Sequence, residues 1–265
     1  MNKITIFCIL LITELLTAQV SESRVVADFS KLKVSSGIEV FYTISNVISV
    51  KVETDDLDKM QYIKTEAVGG VLKLYIDTDK KTTLKERKNS KRTRNNRWIN
   101  GIAFDVLKIT VSGPNLSEIK ASSSAFLKIE NLNTSDDLDI AVSSSATIKG
   151  TFKCNSVSID ASSSGEFLGK VDAKSTRIES SSSSSLRVEG KSVELNVKAS
   201  SSGECNLEGF KVENALVLAS SSASVTVYTS KSIEAKASSS GSVSFYGNPT
   251  NVSKEMSSSG SVNKR

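Results

Sequence analysis

One phrase occurs eight times between residues 121 and 260 of this chain. Three serines follow a residue that is usually alanine, and a small residue comes directly after them. The triplets begin at Ser122, Ser143, Ser162, Ser181, Ser200, Ser220, Ser238 and Ser257, so successive starts lie 21, 19, 19, 19, 20, 18 and 19 residues apart. A fixed period of this size marks a solenoid, in which each coil buries its apolar face only against its neighbours. Leucine-rich repeats share the period, but their leucine and asparagine pattern is missing here.

Aligning the repeats on the first serine gives columns. Three places earlier stand Ile119, Ile140, Ile159, Ile178, Val197, Val217, Ala235 and Lys254. Five places later stand Leu127, Ile148, Phe167, Leu186, Cys205, Val225, Val243 and Val262. The columns share one parity, which is the period of a strand with one face buried; the three- and four-residue spacing of a helix is absent. The expected fold is all-β: a single-domain, right-handed parallel β-helix with rungs of about 19 residues, stacked at about 4.8 Å. The same parity predicts that the middle serines, such as Ser123, Ser182, Ser201 and Ser239, point inward as a hydrogen-bonded hydroxyl ladder.

Before the triplets the pattern loosens. Residues 24–120 read as irregular N-terminal coils that cap the solenoid, and 121–265 as its regular rungs; "VSSGIEV" at 34–40 echoes the repeat. Residues 1–18 have the form of a secretory signal peptide: Lys3, an apolar run from Ile4 to Leu16 broken by Glu14, and small residues near Ala18. The run is too short for a membrane span, and no later segment could cross as a helix. Export permits a disulfide between Cys154 and Cys205. Their rungs are three steps apart, about 14 Å at strand spacing, so both thiols are expected to stay free. Cys154 is expected near a turn.

Nine cations crowd residues 79–97: Lys80, Lys81, Lys85, Arg87, Lys88, Lys91, Arg92, Arg94 and Arg97. The plain reading is a solvated loop; the sharper one is contact with an anionic surface such as lipopolysaccharide, phospholipid or acidic glycan. Nucleic acid does not fit an exported chain whose basic run is flanked only by Trp98.

The chain contains no histidine. Triads with an imidazole base and histidine zinc sites are therefore excluded. Asp136, Asp137 and Asp139 cluster in the longest repeat, where a polar turn is the simpler explanation. A dyad of Ser117 and Lys120 is expected by chance in a chain so rich in both types. Cys205 occupies an apolar column and is expected to behave as a small hydrophobe. No catalytic residue, cofactor or metal site is expected.

"VSSGIEVFY", followed by reiterated "SSSA" and "SSSG" rungs, resembles the head GIN domain family over roughly residues 28–250. The resemblance implies a parallel β-helix and an exported bacterial protein of the auto-transporter adhesin type; the family brings no catalytic residues to transfer. The expected function is a non-enzymatic surface or periplasmic adhesin-like binding or structural module. Its compartment is periplasm, outer-membrane surface or extracellular, and its partners are glycan, lipopolysaccharide or a surface protein. The rival readings are an envelope spacer that self-associates through its C-terminal rung, and a carbohydrate-active β-helix enzyme.

Overall fold

The computed structural model describes residues 19–78 and 97–265; residues 1–18, expected to be a signal peptide, and the basic residues 79–96 lie outside them. Among the described residues seventeen strands join one sheet, which is parallel except for pairs in its N-terminal part. Thr147 pairs with Glu166, Glu166 with Ser185, Ser185 with Glu204, Glu204 with Ser224, Ser224 with Ser242 and Ser242 with Ser261. These steps reproduce the serine spacing, so one triplet period is one turn of a parallel β-helix. Six long strands run from one serine corner to the next: Phe126–Val142, Thr147–Ala161, Glu166–Ser180, Ser185–Ala199, Glu204–Ala219 and Ser224–Ala237.

The apolar columns form the core. Ile119, Ile140, Ile159, Ile178, Val197, Val217 and Ala235 are buried one above another, as are Leu127, Ile148, Phe167, Leu186, Cys205, Val225 and Val243. Each large aliphatic side chain so buried contributes about 1.5–3 kcal/mol. Gly150 and Gly169 interrupt a third column, and aromatic rings fill the gap. A Cβ on Gly150 would lie 2.7 Å from the Phe152 ring, one on Gly169 would lie 2.5 Å from the Phe167 ring, and the two rings stack with centroids 6.0 Å apart.

The inward serine ladder is corrected. Ser123, Ser182, Ser201 and Ser239 are exposed. The second and third serines of every triplet have positive φ, 45–53° and 59–62°. Each triplet is thus the start of a tight turn, with two left-handed central residues as in a type I′ turn. Its closing bond runs from the fourth residue back to the first, for instance Ala125 N to Ser122 O at 3.2 Å and Gly203 N to Ser200 O at 2.9 Å. Alternation does not survive two left-handed residues, which is why parity failed there. The buried positions are the residues on either side, such as Ala121 with Ala125 and Ala199 with Gly203. The corner is held by backbone rather than hydroxyls: Ser124 N donates to Ser144 O, Ser145 N to Ser163 O and Ser164 N to Ser182 O, at 2.8–3.0 Å. Ser36 and Gly37 repeat the turn in the N-terminal region, where Gly37 N donates to Ser123 O. Beside one corner two serines do lie inside: Ser180 and Ser184 face each other at 2.9 Å, and Ser184 Oγ also donates to Ala161 O.

The three aspartates stand in strand Phe126–Val142, not in a turn, and Asp136 accepts from Asn155. The extra residues of this long rung serve another purpose. Asn133 is fully buried; its Oδ1 accepts from Leu116 N and its Nδ2 donates to Leu116 O. Asn131 grips both backbone groups of Ile44 in the same way. Residues before 120 also add antiparallel pairs: Val20–Arg24 with Ser49–Thr54, Ser49–Thr54 with Leu107–Gly113, and Ile63–Val68 with Val71–Ile76. Cys154, expected near a turn, lies within strand Thr147–Ala161. Both it and Cys205 are free thiols.

Candidate functional site

Away from the serine corner, one outward column carries an unusual series. Lys153 pairs with Asp172, Asp172 with Lys191, Lys191 with Lys211, Lys211 with Tyr228 and Tyr228 with Tyr246. Register shifts beside it explain the local shape. Between Leu207 and Lys211 the chain carries three residues with no counterpart before Tyr228, burying Phe210 and leaving Glu208 and Gly209 outside. Gly190 makes the neighbouring bulge at φ +112°, where a Cβ would lie 2.0 Å from Val171 O, so no other residue fits without backbone movement.

The bulges frame two surface hollows of about 690 and 560 Å³ that meet at Lys211 and Tyr228. The first is lined by Lys153, Lys174, Lys191 and Lys211 with Asp172 and Glu213. Asp172 is paired with Lys191 at 3.5 Å, and Glu213 with Lys231 at 2.6 Å. Among the described residues Lys153, Lys174 and Lys211 have no carboxylate partner. The second hollow sets Tyr228 and Tyr246 beside Arg187, Asn206 and Glu208. Lys211 Nζ lies 3.7 Å from the Tyr228 ring centroid. The groove therefore offers free ammonium groups at one end and two tyrosines one rung apart at the other.

A larger hollow of about 990 Å³ lies along the neighbouring face. There Asn214 donates to Glu194 and Ser232 to Asn214, so part of its polar lining is already occupied. That contrast favours the lysine–tyrosine groove as the binding surface.

The thiols and the Ser117–Lys120 pair are not arranged as activated nucleophiles. Cys154 is half-buried in the groove wall, and burial, then Asp172 and Asp137, push its thiol up to about 11, so it stays protonated at neutral pH. Burial pushes the Cys205 thiol up to about 12. Ser117 Oγ donates to Ser30 O, while Lys120 pairs with Glu118, so the two form no dyad. Among the described residues no group of three or more Cys, Asp or Glu is gathered to hold a metal ion, and no helix is long and apolar enough to cross a membrane.

Of the nine cations singled out in the sequence, only Arg97 falls among the described residues. It bonds to Gly37 O and pairs with Glu39, and so is engaged within the fold. The groove lysines were missed because each alone looks like a solvated charge. Their signal was the period: Lys153, Asp172, Lys191 and Lys211 follow one another at the rung spacing.

Solved structures share this fold. A "putative lipid binding protein" from Parabacteroides distasonis aligns with TM-score 0.79 and 21% identity, covering 93% of this chain and 96% of that one. A "putative adhesin" from Parabacteroides merdae aligns with TM-score 0.77 and 15% identity, covering 93% and 96%. Another from Parabacteroides distasonis aligns with TM-score 0.78 and 18% identity, covering 93% and 97%. No curated protein matches the sequence. The family model described as "Putative auto-transporter adhesin, head GIN domain" matches residues 28–249, nearly the whole described chain, and the protein belongs to that family.

Proposed function

We propose that the protein is an exported, non-enzymatic binding module of the cell envelope that holds an acidic linear glycan in the lysine–tyrosine groove. The observation that carries this reading is the join at Lys211 and Tyr228, where unpaired cations meet an aromatic pair in an open channel. Aromatic faces accept the apolar face of a sugar ring, and ammonium groups accept its carboxylates or sulfates. Strand spacing of about 4.8 Å repeats these groups along the axis, so an extended polymer meets several in succession. The family description and the names of the structural neighbours support a binding role.

The test is an immobilised glycan panel probed with wild type and Lys191→Ala/Lys211→Ala/Tyr228→Ala. Salt-sensitive retention of wild type on acidic polysaccharides, lost in the variant, is the expected result. Equal retention of both proteins removes the groove from the binding surface.

A further inference from the structure

A second cationic surface lies at the other end of the solenoid. Lys73 pairs in register with Lys33, and Lys33 with Lys120. Three cations thus follow one another on adjacent parallel strands, about 4.8 Å apart at each step. Like charges placed directly opposite destabilise a sheet. The next column holds Lys31 beside Glu118. Glu118 is the local counter-charge, with Lys31 at 3.7 Å, Lys33 at 3.3 Å and Lys120 at 3.2 Å. Burial works against its charge, but Lys120 and Lys33 outweigh it and hold the carboxyl below the usual carboxylate range. Three lysines therefore share one carboxylate. Lys33 and Lys120 both approach its Oε1, so a single carboxylate oxygen faces two ammonium groups. Glu66 stands in register with Lys73, but its carboxylate interacts with Tyr75, and among the described residues no ion pair engages Lys73.

These lysines border a hollow of about 450 Å³ whose rim includes Tyr75 and the hydroxyl residues Ser36, Ser122 and Ser143. We propose that this hollow binds a phosphorylated sugar, its phosphate held by Lys73, Lys33 and Lys120. A dianion matches the excess positive charge better than a second carboxylate. The hydroxyl-bearing rim suits sugar hydroxyls. A lipid fits less well, because none of the exposed large hydrophobic residues, such as Leu57, Val68 and Leu132, lines the hollow. The site is separate from the lysine–tyrosine groove and stands or falls independently of it.

Calorimetric titration of the full chain with glucose-6-phosphate tests the proposal, with glucose as the uncharged control. Lys73→Gln/Lys120→Gln is expected to weaken binding by about tenfold or more, since each lost charge-assisted bond accounts for a factor of that order. Glu118→Gln removes the competing carboxylate and is expected to tighten binding several-fold, a gain that misfolding cannot mimic. Lys170→Gln, an exposed position that lines neither the groove nor this hollow, is expected to leave it unchanged. Absence of glucose-6-phosphate binding at low salt, equal binding of glucose, or unchanged affinity in both site variants overturns the proposal. So does lysine-dependent capture by phosphatidylcholine vesicles containing phosphatidylglycerol when the sugar phosphate does not bind.

Discussion

Lys211 places its ammonium 3.7 Å from the ring centre of Tyr228, the residue paired with it on the next strand. The contact orders both the cation and the aromatic face at the join of the two hollows. A cation–π pair of this kind contributes about 0.5–2 kcal/mol. Tyr228→Ala should therefore weaken acidic-glycan binding by roughly five- to thirtyfold through loss of the ring, whereas Tyr228→Phe should retain most of the affinity. A double-mutant cycle with Lys211→Ala measures the coupling; strictly additive losses contradict a shared platform.

The serine corners predict an unusual order of stabilities. Ser201 has φ 49° and is exposed. Glycine tolerates that conformation, so Ser201→Gly should be neutral or stabilising by up to about 1 kcal/mol. Ser201→Val should destabilise by about 1–2 kcal/mol, because a β-branched residue suits the left-handed region poorly. At the buried neighbour Ala199 the rule is different: Ala199→Leu should cost about 1–3 kcal/mol through overpacking. Thermal melts of the three variants check the order, and a glycine variant less stable than the valine one refutes the turn.

Alkaline pH should expose the buried thiols. Cys205 is raised from an ordinary value of 9.0 to about 12, and Cys154 to about 11. The unfolded chain loses these protons at lower pH than the folded chain, so the folded state holds more protons between the two values. The contribution to stability is complete below pH 9 and declines as pH rises towards 11–12. Burial also raises Tyr42, in the same direction. Comparison with Cys205→Val, which places the residue of the next rungs in that column, isolates the cysteine: its stability should fall less steeply above pH 9. In the native protein Cys154 should react with alkylating reagent faster than Cys205, which is 1% exposed.

Asn133 should be more costly to replace than its polar character suggests. Its amide satisfies both the N–H and the C=O of Leu116. Asn133→Leu leaves two buried backbone groups without partners and should destabilise by about 2–6 kcal/mol. Asn131 makes the equivalent bonds to Ile44 at an exposed position, where water replaces them, so Asn131→Leu should cost much less. Equal losses at the two sites contradict this distinction.

The buried columns were legible because strand alternation is a strong periodic signal. Ile140, Ile159 and Ile178 needed only counting. The serines misled because parity was carried through residues whose backbone leaves the extended region, and hydroxyl chemistry offered a plausible reason to bury them. Ser192 and Thr229 show a related limit. They occupy inward positions, and their hydroxyls bond to backbone carbonyls, Ser192 to Glu194 O and Thr229 to Ser232 O, which no spacing rule reveals. The groove depended on bulges around Gly190 and Phe210 that shift register by a few residues. Only the stacked coordinates bring Lys211 over Tyr228, although the lysine period itself was present in the sequence.

Differential acetylation of lysines, with and without polygalacturonate and read by mass spectrometry, tests the central claim most directly. Ligand should protect Lys153, Lys174, Lys191 and Lys211 together, leave exposed Lys51 in the N-terminal coils reactive, and release polymer of unchanged length. Uniform reactivity, protection that bypasses these four lysines, or shortening of the polymer would contradict a non-enzymatic module that holds its ligand in this groove.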